Sequence, residues 1–283
     1  MKTKDIISDI YQSTGLWVIN ALARSGNYRV RKSIPYGSHH RHHLDHYQLE
    51  NNNNAATVLF FYGGNWRSGR RQDYRFVADT LLSLGVNVIV PDYRLYPRVR
   101  FQQIRDDAVA ALETATQLVG DSELFVMGHS AGAQLATLLT LDDSLTSASR
   151  LIKGCIGLSG PYDFYPYTDQ DHWDLFGPEP FYPQSQAVNF VRPDAAPLYL
   201  LHGEDDTRVR RGHSKSLMEK QLAVGGVASR EVYPGLGHAE LIVQFSRLHR
   251  GSARVIQDVK EFIQRTQSQS APINDMKEAA HGT

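Results

Sequence analysis

Cysteine is almost absent from this chain. Of 283 residues only Cys155 is one, so no disulfide can form within it. A lone thiol in an apolar run, Ile152 to Leu158, fits a reducing compartment, and a cytoplasmic location is the expectation. An excess of one charge is also lacking. Lys and Arg together number 30, as do Asp and Glu, so the net charge is zero and nucleic acid is not an expected partner. No apolar run approaches the roughly 20 residues that cross a bilayer, so stable membrane insertion is not expected. Lys2 and Lys4 are followed at once by Asp5 and Asp9, and Gly15 to Ala23 is interrupted by Asn20, which argues against a secretory leader. There is no internal repeat and no linker strong enough to split the chain.

What is present is enough apolar material for a full core: 41% hydrophobic residues and 10% aromatics. From Ala56 onward, short apolar runs alternate with helix-compatible segments. Thr57 to Tyr62, Val86 to Val90, Glu123 to Met127, Cys155 to Leu158, Leu198 to Leu201 and Arg230 to Tyr233 read as strands. Tyr74 to Leu84, Ile104 to Leu118 and segments near 211–224, 238–248 and 252–266 read as helices. Near-continuous apolar strands separated by helices predict an α/β fold with a mostly parallel sheet covered on both faces. Before it, Leu44 to Leu49 reads as an outer strand and Asn51 to Asn54 as a turn. Residues 5–24 place apolar side chains at i, i+3, i+4, i+7 spacing. They predict an amphipathic helix that packs on the domain, caps a site or adheres weakly to a membrane surface. The expected division is 1–34 for this region, 35–266 for a catalytic domain and 267–283 for a polar, disordered tail.

The residues that organise the chain are Gly128-His129-Ser130-Ala131-Gly132. They follow a strand and open a helix-compatible segment, which is the context of a G-x-S-x-G nucleophile elbow. A serine hydroxyl is a weak nucleophile until a base takes its proton, and that base needs an anion to orient it. Both partners should come later in the chain, in loops after strands and in the order acid then histidine. Asp205 and Asp206 follow the strand at 198–201. His238 lies in the glycine-rich loop after the last strand, just ahead of a helix. His202 is a rival base, but its place at a strand end, ahead of the acidic pair, reads as structural. The oxyanion of an acyl-transfer intermediate needs N–H donors. One is the N–H of Ala131, and the others are expected from the glycine loop Phe61-Tyr62-Gly63-Gly64-Asn65-Trp66.

Together these residues resemble the α/β-hydrolases, closest to their esterase/lipase branch with hormone-sensitive-lipase-like and kynurenine-formamidase-like enzymes. The similarity covers roughly residues 35–265 and rests on four motifs: Tyr62-Gly-Gly-Asn-Trp66, Pro91-Asp-Tyr-Arg-Leu-Tyr-Pro97, Gly128-His-Ser-Ala-Gly132 and His202-Gly-Glu-Asp-Asp206-Thr-Arg-Val209. The resemblance implies an α/β-hydrolase fold with a mostly parallel central sheet of about eight strands and helices on both faces. Its spacing selects Asp206 over Asp205 as the acid of a Ser130, Asp206, His238 triad. It gives the backbone N–H groups of Gly64, Asn65 and Ala131 as the oxyanion hole. It also implies that Asp92 and Arg94 form a structural pair behind the oxyanion loop. One departure stands out: Tyr62 occupies the place of the family's loop histidine, so the loop must be braced differently.

The segment from Ser159 to Phe190 is rich in aromatics and prolines and lies where this fold inserts pocket walls. Trp66, His129, Tyr162, Phe164 and Trp173 are the expected pocket residues, with Tyr165, Tyr167 and Phe181 as further candidates, and Asn65 is a candidate for a side-chain contact to substrate. The cluster His39-His-Arg-His-His43 has neither helical spacing nor a Cys or Glu to complete a ligand set, so it reads as a solvated strand edge, and no metal is expected. The expected function is that of a serine carboxylesterase acting on a small-molecule ester without a cofactor. An arylformamidase or amidase using the same triad is the alternative, and an inactive scaffold acting as a binding module is a third reading. No oligomeric state is implied.

Overall fold

The computed structural model describes residues 19–20, 28–50, 52, 55–247 and 254–270. Eight strands form a single sheet: β1 (Tyr28–Pro35), β2 (His43–Leu49), β3 (Thr57–Phe61), β4 (Asn87–Pro91), β5 (Leu124–His129), β6 (Ile152–Leu158), β7 (Leu198–Gly203) and β8 (Ala228–Tyr233). Their spatial order is β1-β2-β4-β3-β5-β6-β7-β8. Strand β2 runs antiparallel to both neighbours, and every pairing from β4 to β8 is parallel. In β3, β4, β5 and β7 every residue is buried, which requires cover on both faces of the sheet.

Helices supply that cover: α1 (Arg75–Ser83), α2 (Phe101–Val119), α3 (Ala131–Leu141), α4 (Gln170–Phe176), α5 (Gly212–Ala223), α6 (His238–Val243) and α7 (Arg254–Ser270). Helix α3 is buried at every position, as its largely apolar composition demands. In α7, Val255, Val259, Phe262 and Ile263 form the buried stripe, and Phe262 packs against Phe125 of β5 and Tyr199 of β7.

The structure departs from several expectations. Strand β1 spans the boundary placed between residues 34 and 35 and belongs to the sheet. Its sequence, YRVRKSIP, is mostly polar because an edge strand buries little. Because β1 pairs outside it, β2 is the second strand, between β1 and β4, rather than an outer one. Its buried polar residues, Asp45 and His46, mask the apolar pattern. Helix α7 runs four residues beyond 266, and residues 271–283 lie outside the described residues. Of the expected helix at 5–24 only Ile19 and Asn20 are described. The Asn20 side chain accepts from Phe76 N at 3.0 Å and donates to Gln72 O at 2.9 Å, so it holds the start of α1. Of the turn at 51–54 only Asn52 is described.

In the histidine cluster, residues 39–42 form the turn between β1 and β2 and His43 opens β2; His40 is exposed and the other histidines are half-buried. Arg41 points inward, donating to Tyr62 Oη and Gly69 O at 2.8 Å each and to Tyr93 O at 2.6 Å. His42 Nε2 lies 3.0 Å from Asp107 of α2. Because β3 to β8 are parallel, their C-terminal ends share one edge, where loops 62–70, 130, 204–211 and 234–237 meet. Register brings those ends level: Phe61 sits beside Gly128, His129 beside Leu158, and Gly203 beside Tyr233.

Candidate active site

Ser130 is the residue between β5 and α3, with φ 55 and ψ −122. An L-residue in that region is strained by about 1–3 kcal/mol and persists only where its surroundings fix it. Here Ser130 N donates to Leu158 O at 2.9 Å, and Ser130 O accepts from Ala133 N at 2.9 Å. The turn is so tight that a Cβ on Gly132 would lie 2.1 Å from Phe61 O, so no side chain fits there.

His238 reaches Ser130 from the opposite side. Its Nε2 is 2.9 Å from Ser130 Oγ, and its Nδ1 is 2.8 Å from Asp206 Oδ2. Asp206 is held by its loop: Oδ1 accepts from Arg208 N at 3.0 Å and from Val209 N at 2.9 Å. Burial works against its charge. Hydrogen bonds from His202, His238 and Val209 N nevertheless keep the carboxyl well below the usual carboxylate range. An ionised Asp206 can only accept, so His238 carries its proton on Nδ1 and turns the Nε2 lone pair toward the serine hydroxyl. Asp205, by contrast, is exposed. His202 is buried, 3.4 Å from Asp206 Oδ2, and Nε2 donates to Val209 O at 2.8 Å, so it braces the acid's loop.

His129 lies outside the expected pocket-lining role. It is buried, and Nε2 donates to the His238 carbonyl at 3.1 Å, pinning the loop that carries the imidazole. Burial and the neighbouring His238 ring push its pKa down to about 3, so it stays neutral.

The loop after β3 presses on the nucleophile: a Cβ on Gly63 would lie 3.0 Å from Ser130 Cβ. Gly64, Asn65 and Trp66 then follow with φ of 139, 52 and 58. Among the described residues the backbone N–H groups of Gly64 and Asn65 donate to no backbone carbonyl. The N–H of Ala131 is in the first turn of α3, where no intrahelical acceptor exists.

The bracing of this loop was only partly legible. Asp92 does not pair with Arg94. It accepts from Tyr62 Oη at 2.9 Å and from Arg71 N at 2.7 Å, and it forms an ion pair with the Arg71 guanidinium. Arg94 pairs instead with Asp107 at 2.6 Å, because Asp107 is buried on the inner face of α2 and needs a cation. Arg41, Arg71 and Asp107 carry no motif. Only Asp107 gives a signal, a charged residue on the apolar stripe of the expected helix with Ile104, Ala108 and Ala111, whereas Arg41 and Arg71 lie outside any periodic segment.

The aromatic segment packs on this loop through Trp66. The indole donates to Gln134 Oε1 at 2.9 Å, and its ring lies 6.2 Å from Phe164, 5.8 Å from His172 and 5.0 Å from Phe176. Trp173 meets Tyr165 and Tyr167, one layer further out. Tyr162 is not a pocket residue: it is fully buried, with its hydroxyl filling the space left by Gly157, and belongs to the core. Phe181 is 53% exposed. Among the described residues no three His, Cys, Asp or Glu side chains are grouped to hold a metal ion, and no helix is long and apolar enough to cross a membrane.

The chain is similar to known proteins in sequence and in fold. The chain is 28% identical over 266 residues to an isoprenylcysteine alpha-carbonyl methylesterase of Arabidopsis thaliana, covering 83% of this chain and 62% of that protein. It is 31% identical over 140 residues to a kynurenine formamidase of Salmo salar, covering 47% of each. It thus spans about half to three fifths of the length of the curated relatives it matches. The crystal structure of esterase B from Lactobacillus rhamnosis superposes with a TM-score of 0.77 at 18% identity, covering 94% of this chain and 93% of that one, which shows a shared fold. A family model described as BD-FAE matches residues 44–221, more than half of the chain and the part that contains Ser130 and Asp206. With the doubly covered parallel sheet and the serine elbow at its carboxyl edge, which fit an α/β-hydrolase fold, this match shows that the chain belongs to the BD-FAE family.

Proposed function

We propose that this chain is a serine hydrolase that cleaves carboxylic esters of small to medium substrates through an acyl-enzyme on Ser130. The observation that carries this reading is the unbroken hydrogen-bonded series from Ser130 Oγ through His238 to Asp206, mounted on a strained elbow. In the proposed cycle Ser130 Oγ attacks the ester carbonyl while its proton passes to His238 Nε2. Asp206 stabilises the imidazolium, and the N–H groups of Gly64, Asn65 and Ala131 hold the oxyanion. Collapse breaks the ester C–O bond, and His238 returns the proton to the leaving alcohol. Water then loses a proton to His238, attacks the acyl-enzyme and releases the carboxylic acid and free Ser130.

Cleavage of an aryl-formamide by the same groups is the second reading, supported by similarity to a kynurenine formamidase over about half of the chain. An inactive binding scaffold is the least supported, since its partners would not need this hydrogen-bonded series. The cytoplasmic placement stays part of the proposal, supported by a sole cysteine that is buried and unpaired.

The test is turnover of p-nitrophenyl acetate, butyrate and octanoate beside N-formylkynurenine, with Ser130→Ala as control. Ester cleavage should drop by roughly 10⁴-fold or more in the variant, and a fluorophosphonate probe should label only the parent. Near-normal turnover by Ser130→Ala would overturn the proposal, and faster formamide cleavage would favour the second reading.

A further inference from the structure

Beside the loop that carries Gly64 and Asn65 lies a cavity of about 370 Å³ that none of Ser130, Asp206 or His238 lines. Its wall brings together Arg41, Arg67, Arg94 and Arg98 with His39 and His40, and among the described residues no Asp or Glu lines it. Four arginines lining one small space repel one another unless something compensates, so the fixation of their charges matters.

Three of the four are anchored by groups set back from the wall. Arg94 spends Nε and Nη2 on Asp107, which is buried. Arg41 spends Nε and Nη2 on Tyr93 O, Tyr62 Oη and Gly69 O, with Asp92 3.6 Å away. Arg67 meets Asp171 at 2.7 Å and lies 4.5 Å over the Tyr96 ring. These bonds leave Nη1 of Arg41 and of Arg94 without a hydrogen-bond partner among the described residues. Arg98 is exposed, and its guanidinium has no ion-pair or hydrogen-bond partner there either. Donors whose geometry is already fixed lose little freedom on binding, and guanidinium forks match tetrahedral and planar oxyanions. The field at the rim has the expected sign: desolvation and the adjacent His40, His42 and Arg94 lower the pKa of His39.

We propose that this cavity binds a small, multiply charged oxyanion of the phosphate class, seated on Arg41, Arg94 and Arg98 with His39 and His40 at its rim. A dianion suits it because at least three arginines line it and no carboxylate among the described residues does. The site does not depend on the chemistry assigned to Ser130.

The test is isothermal titration of inorganic phosphate into the full chain at constant ionic strength, with succinate as the carboxylate arm. Phosphate should bind saturably at one site and more tightly than succinate. Arg98→Glu should weaken it by about tenfold or more, since one charge-assisted partner is reversed. Ser130→Ala should bind as the parent does, so failure of the esterase proposal leaves this result standing. In parallel, phosphate should shift the NMR resonances of His39 and His40 in the parent chain, a readout that needs no variant. Absence of saturable phosphate binding, equal affinity in Arg98→Glu, tighter succinate binding, or unshifted His39 and His40 signals would each overturn the proposal.

Discussion

Replacing Tyr62 by Phe removes one oxygen from the bracing of the loop that presses on Ser130, and the structure sets what that should cost. The ring is fully buried between Tyr74 and Tyr93, with centroids at 5.2 and 4.8 Å, so the phenyl group keeps the same packing. Burial pushes the phenol pKa well up, so the hydroxyl is neutral, donating to Asp92 Oδ1 at 2.9 Å and accepting from Arg41 Nη2 at 2.8 Å. A hydrogen bond to a charged group contributes about 1.5–3 kcal/mol, which would suggest up to twice that for the pair. Both partners keep other bonds, however. Asp92 retains Arg71 N and the Arg71 guanidinium, and Arg41 retains Gly69 O and Tyr93 O. The loss should therefore be nearer to one bond than two, about 2–3 kcal/mol, or a fall in Tm of roughly 4–12 °C for a chain of this size. Denaturant unfolding and calorimetry measure it directly. Because Gly69 and Tyr62 flank the proposed oxyanion donors, kcat on p-nitrophenyl butyrate should fall more than KM rises. A Tyr62→Phe chain within about 0.5 kcal/mol of the parent would refute the assignment of this network as the brace.

Two further outcomes follow from the same geometry. Gly132→Ala forces a methyl group to within 2.1 Å of Phe61 O and 2.5 Å of Tyr62 O, both backbone atoms at the sheet centre, so a loss above about 4 kcal/mol or insoluble expression is expected; a soluble, active variant would contradict this close approach of strand and helix. His129 makes stability depend on pH, since its pKa is about 3 when folded and about 6.5 when unfolded. The unfolded chain binds the extra proton, so this stabilisation is complete above about pH 6.5 and fades as pH falls toward 3, a loss of about 2 kcal/mol between pH 8 and pH 5. His129→Gln retains a donor for the His238 carbonyl and should show a flatter pH dependence in denaturant unfolding; parallel curves would exclude His129 as the source.

What was legible in the sequence is what obeys a period or a motif. The buried strands β3, β5 and β7 are continuous apolar runs, and Ser130, Asp206 and His238 sit at strand ends in the expected order, where the structure brings them within hydrogen-bond distance. The polar strand β1 offers no such signal, because only its neighbour in the sheet gives Tyr28 to Pro35 a reason to extend. Pairing of buried charges was equally hidden. The resemblance placed Asp92 with Arg94, but which cation reaches which carboxylate depends on the turn at 36–42 and on where α2 presents Asp107. Tyr162 was misplaced because aromatic composition alone does not separate a pocket wall from a core side chain filling the gap over Gly157.

These two kinds of residue have a physical division of labour. The nucleophile and the oxyanion loop sit on a backbone that L-residues rarely adopt: Ser130, Asn65 and Trp66 all have positive φ, which costs about 1–3 kcal/mol where no residue preference offsets it. Such a backbone stays in place only if surrounding contacts are stronger than its strain. Around Trp66 these are the bond to Gln134 and rings from Phe164, His172 and Phe176; around the start of the loop they are Tyr62, Arg41, Asp92 and Arg71. Buried ion pairs add little net stability against an apolar replacement, but removing one partner strands a charge and costs several-fold more. Such a network therefore penalises every loop geometry except the native one. That property suits a loop whose N–H groups must point at one place, and it explains why so many buried charges surround a site whose proposed chemistry uses only one of them, Asp206.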